Sequence, residues 1–472
     1  MVLKSDGSVQ WRPVTDPAIL EAYRHDASPL QGDPEALLRP ASALEAADQL
    51  REACSRNIAV TPCGLRSSTT GAGLAPHGWV QSCEKLVGWE VDVERRRAVV
   101  GAGVVLREFK DDVEEQGLFY PPDPTSEREC SLAGTVACDA SGARTYRYGA
   151  THRWVTGVEV ALPDGSLQWF RRRSVDKDAA GYSGMRDLVG LLCGSEGTLG
   201  FITKVEVRLI DRPPAYTSGL AFFGDVFSAL AFVGLAREQD RRGDGVKPRC
   251  LELLDAGCLE IMRAQGSGVT LPAGAGAAIY FEQEHAVDAD EAVLMAWWTA
   301  LEGSPGALAE DTVVATDPAR QEELRLLRHA VPATLNEEGR SHAAQGGRKI
   351  STDWAVPFER LAPLVATFDG WLADAGIDRA FRYGHVGNGH PHYNLIVRDA
   401  AERARADAVV KRMCEVACAE GGTITAEHGV GKIKLPYVRY RFSPLELEAM
   451  KAVKRVFDPT GILAPGNLFP AS

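Results

Sequence analysis

The sequence predicts a mixed α and β protein of at least two domains. Three observations carry this. The chain has 472 residues, more than one hydrophobic core ordinarily serves. Its first half alternates short apolar runs with loops of glycine, serine, alanine and proline. Beyond Asp211-Arg212-Pro213-Pro214 the texture changes to longer helical patterns separated by strands, which reads as α+β or α/β. Hydrophobic residues make up 45% and charged residues 25%, an ordinary balance for a globular chain.

Taken in order, residues 1–35 form a polar, proline-containing lead-in. Ser42 to Arg56 reads as an amphipathic helix, with Leu44, Ala47, Leu50 and Ala53 at helical spacing. Ile58 to Pro62 is a short strand that runs into the loop Cys63 to Gly73. Such a loop can expose backbone N–H groups to a phosphate, with Arg66 and the hydroxyls adding donors; a plain surface turn is the competing reading. Arg97 to Val104 is a strand and Leu106 to Gln116 a helix. The prolines of Tyr120 to Ser126 exclude regular structure. Ser131 to Ala143 is a small-residue stretch that lets backbone approach a ligand. Gly157 to Phe170 is a hairpin around Asp164-Gly165. Leu191 to Gly200 is a further small-residue loop, and it leads into a strand that continues to Ile210. In the second half, helices are expected at 224–239, 286–302, 318–335, 357–375 and 400–419, with a strand at 278–282. A last helix spans 445–456.

The net charge of −12 argues against nucleic-acid partners. Arg95-Arg96-Arg97 and Arg171-Arg172-Arg173 read as decorated hairpins. Met1 to Asp6 lacks the apolar core of a signal peptide, and no run has the length of a membrane span. A cytoplasmic protein is expected, at most peripheral to the inner membrane. The ten cysteines are scattered without a CxxC pair, so buried free thiols are expected and an iron–sulfur cluster is not.

The densest chemistry lies in Arg382 to Val397. His385 and His392 are seven residues apart and would face opposite ways on one straight strand. Gly387-Asn388-Gly389 and Pro391 predict a bend that can return the second imidazole to the side of the first. A metal site follows from that reading; a hairpin whose histidines bond to backbone is the alternative. His390 is either an extra ligand or a turn residue. Downstream, Glu427 and His428 add a carboxylate and another imidazole.

Pro121-Pro122-Asp123-Pro124, the Gly134 to Gly142 stretch, Gly194-Ser195-Glu196-Gly197-Thr198-Leu199-Gly200, Gly384-His385-Val386-Gly387, Glu427-His428-Gly429-Val430-Gly431-Lys432 and Asp458-Pro459-Thr460-Gly461 occur in that order. As a set, over residues 20–470, they resemble the FAD-linked oxidases of the vanillyl-alcohol-oxidase type. Within these the chain is most similar to D-lactate and D-2-hydroxyacid dehydrogenases and glycolate oxidase flavin subunits. The resemblance implies an α+β fold: an FAD-binding domain of two α+β subdomains over 36–212, an α+β cap over 213–440, and a C-terminal segment, 441–472, returning to the FAD domain.

It also implies site residues. Pro62, Gly64, Arg66, Ser67, Ser68, Thr69 and Gly71 would cradle the FAD pyrophosphate, with Leu65-Arg66 standing where relatives carry glycines. Pro122, Asp123, Pro124, Thr125, Gly134, Ala137, Ser141 and Gly142 would run along the flavin. Glu196, Gly197, Gly200 and Ile202 would line it, with Asn467 from the tail, where relatives often carry lysine. No histidine lies between Pro62 and Gly73, so non-covalent FAD is expected; His25, the alternative attachment point, reads as structural. In the dehydrogenases, positions matching His385, His392 and Glu427 hold a divalent metal, commonly zinc, and the position of His428 is the base. Arg328 and Lys349 are the implied ligands of the substrate carboxylate. In the turn, Asn388 replaces the usual aspartate.

The activity implied is oxidation of a D-2-hydroxy acid, D-lactate foremost, to the 2-oxo acid. A separate electron acceptor follows, whether cytochrome, quinone or electron-transfer flavoprotein, and a homodimer is compatible with it. Two alternatives stand beside this. One is an alkylglycerone-phosphate synthase-like transferase, which the carboxylate at Glu427 disfavours because that family has a run of histidines there. The other is an FAD subunit of a glycolate oxidase-type complex that needs an iron–sulfur partner.

Overall fold

A computed structural model describes residues 11–266 and 268–470. The first ten residues of the lead-in therefore lie outside the described residues. The chain is α+β and divides into two compact units, the first comprising 1–142, 149–212 and 427–472 and the second 143–148 and 213–426.

In the first unit, β1 (Ala36–Leu38), β2 (Val60–Cys63) and β3 (Trp79–Ser82) form a parallel sheet in the order β1-β3-β2. The expected helix spans Ala43–Ser55, capped by the Ser42 hydroxyl on the Glu45 N–H. Its buried face is Ala46, Ala47, Gln49, Leu50 and Ala53; Leu44, expected on that face from its spacing, is exposed because it sits in the first turn beyond the packed stripe. The second sheet contains β4 (Trp89–Asp92), β5 (Arg97–Gly101), β7 (Val155–Ala161), β8 (Leu167–Arg171) and β9 (Phe201–Arg208). Its order is β4-β5-β9-β7-β8, antiparallel throughout. A short pair joins β6 (Leu118–Phe119) to β10 (Ile210–Asp211). The tail lies beside β2, where the Val60 N–H donates to Ile462 O and the Ala464 N–H to Val60 O.

The stretch from Ser131 to Ala143 is not all loop. Leu132–Cys138 is helical, with the Ser131 hydroxyl accepting from the Gly134 N–H and Asp139 ending the helix in the left-handed region. Small residues there serve close helix packing, which composition alone does not distinguish from a loop.

The second unit is built on one seven-stranded antiparallel sheet. Its strands are β11 (Ala215–Phe223), β12 (Cys250–Asp255), β13 (Ala277–His285), β14 (Val313–Ala315), β15 (Gly346–Ser351), β16 (Ala380–Gly384) and β17 (His392–Asp399). The order is β14-β11-β13-β12-β16-β17-β15. Helices Ala256–Ala264 and Pro318–Ser341 cover one face, burying Leu259, Met262, Leu324, Leu327 and Val331 against Leu254, Tyr383 and Ile396. On the other face Trp297 stacks on Phe281 with ring centroids 3.7 Å apart, and Phe232 meets Phe223 at 5.3 Å. Cover on both faces explains why β12 reads as an unbroken buried run rather than an alternating one. All ten cysteines are free thiols. Among the described residues no helix is long and apolar enough to cross a membrane.

Candidate active site

Each unit contributes a constellation of its own. In the first, three loops meet around β2. A Cβ at Gly64 and one at Gly134 would each stand 3.0 Å from Ser131 Oγ, and a Cβ at Gly197 would stand 2.9 Å from Pro62. A Cβ at Gly142 would lie 2.2 Å from Asp123 O, so the proline-rich loop and the Ser141-Gly142 turn are in contact as well. Among the expected cofactor residues, Gly64 therefore neighbours Gly134, Pro62 neighbours Gly197, and Asp123 neighbours Gly142.

Arg66 is left-handed at φ 65°. Among the described residues the backbone N–H groups of 65–69 donate to no other group of the chain. A run of unengaged N–H groups beside a left-handed residue is a backbone nest for an anionic oxygen, and it fits a pyrophosphate. The Arg66 side chain itself turns to Tyr23, 4.6 Å above the ring.

Glu196 and Asn467 have a different place. The buried Glu196 carboxylate accepts from the N–H groups of Val430 and Gly431 at 2.5 and 2.7 Å. Asn467 Nδ2 donates to Ala72 O and Glu196 O, and its Oδ1 accepts from Lys432 Nζ. Thr70 Oγ1 donates to His428 O at 3.3 Å. These residues stitch the 427–432 loop onto the phosphate loop. A Cβ at Gly431, where φ is 51°, would sit 2.3 Å from Thr70 O, so glycine is required there. Within that loop Glu427 Oε1 lies 3.5 Å from His428 Nε2.

In the second unit the chain bends after β16. Val386–Asn388 form a 3-10 turn, Gly389 is left-handed at φ 69°, and Tyr383 pairs with His392 across the hairpin. The bend returns both imidazoles to one place: the rings of His385 and His392 are 5.5 Å apart. His390 joins them at 5.4 Å from His385 and 4.4 Å from His392. All three are buried.

Their partners come from far along the chain. His385 Nδ1 bonds Glu252 on β12. His392 Nδ1 bonds the carbonyl of Thr352 at 3.0 Å. An acceptor at Nδ1 places the proton there and the lone pair on Nε2, as in histidines that bind metals. His390 approaches through its other nitrogen, with Nε2 3.1 Å from Asp353 Oδ1, an ion-pair contact rather than a directed hydrogen bond. Asp353 Oδ2 accepts from Thr425 Oγ1 at 2.6 Å. Two anchored, buried imidazoles fit a divalent cation.

Arg328 projects from helix Pro318–Ser341 onto Glu252, with Nη2 2.5 Å from Oε2. Burial pushes the Glu252 carboxyl up, but Arg328 and His385 overcome that and hold it down at about 2. Glu252 thus remains charged in the core and joins Arg328 to His385. Lys349 Nζ donates to Asn336 Oδ1 at 2.8 Å. It pairs with Ile396, four strand positions, about 13 Å, from His392. Asn394 lies on the same face as His392, fully buried, and among the described residues neither of its amide atoms has a hydrogen-bond partner.

Sequence reading missed Glu252, Thr352, Asp353 and Asn394. Asn394 alone carried a local signal: His390, His392 and Asn394 alternate, which on an extended chain puts them on one face.

A parallel sheet with a phosphate nest in one unit, and a buried histidine cluster on an antiparallel sheet in the other, define a flavin-binding oxidoreductase. The family described as FAD linked oxidases, C-terminal domain, matches residues 212–468, and one described as FAD binding domain matches 34–171. The chain belongs to the FAD-linked oxidases. It is similar to glycolate oxidase subunit GlcD of Bacillus subtilis, 30% identical over 457 residues, covering 95% of this chain and 92% of that one. A D-2-hydroxyglutarate dehydrogenase of Xanthomonas citri pv. viticola is 30% identical over 466 residues, covering 96% and 93%. A D-lactate dehydrogenase of Archaeoglobus fulgidus is 30% identical over 459 residues, covering 95% of each. Among solved structures, an alkyldihydroxyacetonephosphate synthase superposes with a TM-score of 0.70 at 16% identity, covering 98% of this chain and 88% of that one; this likeness is one of fold.

Proposed function

We propose that the chain oxidises a D-2-hydroxy acid, D-lactate foremost, to the 2-oxo acid. The observation that carries this is the pair of anchored imidazoles, His385 and His392, in a family whose relatives include D-lactate and D-2-hydroxyglutarate dehydrogenases. Bound FAD supplies the acceptor for the hydride leaving Cα. His385, His392 and Glu427 are the residues that would hold a divalent cation, zinc the leading choice, which supplies Lewis acidity to the α-hydroxy-carboxylate.

The remaining work falls to side chains of this chain. His428 takes the hydroxyl proton on its imidazole. Its loop is fixed by Glu196 and Thr70, so the base is held in register with the phosphate loop. The Ala426 N–H, directly before Glu427 and His428 in the chain, donates to Asp353 O at 2.8 Å. Asn394 offers a buried amide to the substrate oxygens. Arg328 acts through Glu252, whose carboxylate sets the His385 ring. Lys349, at the far end of the same face, contributes positive potential toward the substrate carboxylate.

The test is anaerobic bleaching of the bound flavin by D- and L-2-hydroxy acids, before and after chelation. D-Lactate is expected to bleach the flavin and L-lactate to leave it yellow. Chelation should abolish bleaching and a divalent ion restore it. Silence across a panel of D-2-hydroxy acids would overturn the substrate class, and full bleaching by a verified metal-free preparation would overturn the role of the metal.

A further inference from the structure

We infer that His390 is a third imidazole ligand of the cation, giving a metal centre with a three-histidine face on the second unit alone. This rests on the proposed metal-assisted reading and sharpens it. The argument is one of completed surroundings. Each of the three histidines presents a ring nitrogen within 4.8 Å of those of the other two. His385 and His392 are each hydrogen-bonded at Nδ1 to a buried oxygen, of Glu252 and Thr352 O respectively, and His390 Nε2 lies at ion-pair distance, 3.1 Å, from the buried Asp353 carboxylate. An oxygen partner at one ring nitrogen fixes the tautomer, leaves the other nitrogen's lone pair for a cation and raises the basicity of the ligand.

The backbone holds His390 in this place. A Cβ at Gly389 would lie 2.0 Å from Val356 O, so the turn is packed tightly against the segment following Asp353. The His390 N–H donates to His385 O at 3.2 Å, closing the bend. His390 lies two residues before β17 begins at His392, and the two rings stand 4.4 Å apart. Asp353 cannot swing away, since Thr425 holds its other oxygen.

Three neutral imidazoles favour zinc, cobalt or nickel over magnesium, calcium or manganese, which prefer oxygen donors. The centre would also keep a cation without Glu427.

The experiment uses the full flavin-loaded chain, titrated with Zn2+ against a competing chelator, and its Co2+ form read by visible absorption. His390→Asn is expected to weaken Zn2+ binding by more than the ~10–100-fold that loss of an outer partner costs. It should also shift the Co2+ bands. Asp353→Asn should weaken binding within that range and leave the bands in place. X-ray absorption of the wild-type zinc protein, which needs no variant to fold, should count three imidazoles. Unchanged affinity and unchanged Co2+ bands in His390→Asn, or two imidazoles by X-ray absorption, would overturn the inference and leave the proposed function standing. A wild-type protein that binds no divalent ion would overturn both.

Discussion

Replacing Glu252 by glutamine tests how the buried charges are arranged. The substitution keeps shape and removes one negative charge. That charge sits between Arg328, 2.5 Å away and 9% exposed, and the His385 ring. Leaving the guanidinium unpaired in the core is expected to cost about 3–5 kcal/mol. With a urea slope of ~3 kcal/mol per molar for a chain of this size, the midpoint should fall by roughly 1–1.7 M. Separately, His385 loses the negative charge that raises its basicity as a ligand, so zinc affinity should fall about 10–100-fold. The double variant Glu252→Gln/Arg328→Met separates the two effects. With the guanidinium gone, most of the stability should return, because the uncompensated buried charge was the main cost. The zinc affinity should stay low, since His385 still lacks its carboxylate. Urea unfolding and zinc competition read the two arms. A single variant within about 1 kcal/mol of wild type would refute the placement of the charge, as would a double variant that recovers zinc affinity along with stability.

Three further outcomes follow from other contacts. Glu196→Ala leaves the N–H groups of Val430 and Gly431 buried without an acceptor, at about 1–3 kcal/mol each, and should slow flavin bleaching by freeing the His428 loop; a change under about 0.5 kcal/mol would count against that anchor. Burial depresses the Lys349 ammonium to about 8, below the unfolded value of about 10.4. The unfolded chain therefore binds more protons between those pH values and stability rises with pH across that window, so urea midpoints of Lys349→Met should lose the rise; an unchanged slope would refute it. Asn394→Leu removes two buried amide atoms without partners and should hold or raise the midpoint, while the apparent affinity for D-lactate falls about tenfold, equivalent to one hydrogen bond; a loss of stability with substrate affinity intact would place Asn394 in the core rather than the site.

The fold was legible where a pattern is local. Helix Ala43–Ser55 shows its buried face at 3.6-residue spacing and its cap at Ser42. The 400–419 helix coincides with its expected span. Where neighbours decide, the signal failed. Leu132–Cys138 reads as loop because its alanines and glycine are there for close packing. β12 reads without alternation because helices cover the sheet on both faces.

By itself the sequence determined that His385 and His392 would be separated by a tight turn. The order of its glycine-rich loops pointed to a flavin family. Turn chemistry and motif order are properties of neighbouring residues, so they survive without coordinates. Only the tertiary structure decided which side chains orient those histidines. Glu252 lies 133 residues from His385, and Thr352 lies 40 from His392. Strand pairing brings them together, and pairing across that distance depends on which apolar faces the whole sheet must bury. The resemblance assigns Arg328 to the substrate carboxylate; its guanidinium lies against Glu252 of its own chain, because a buried guanidinium needs a counter-charge.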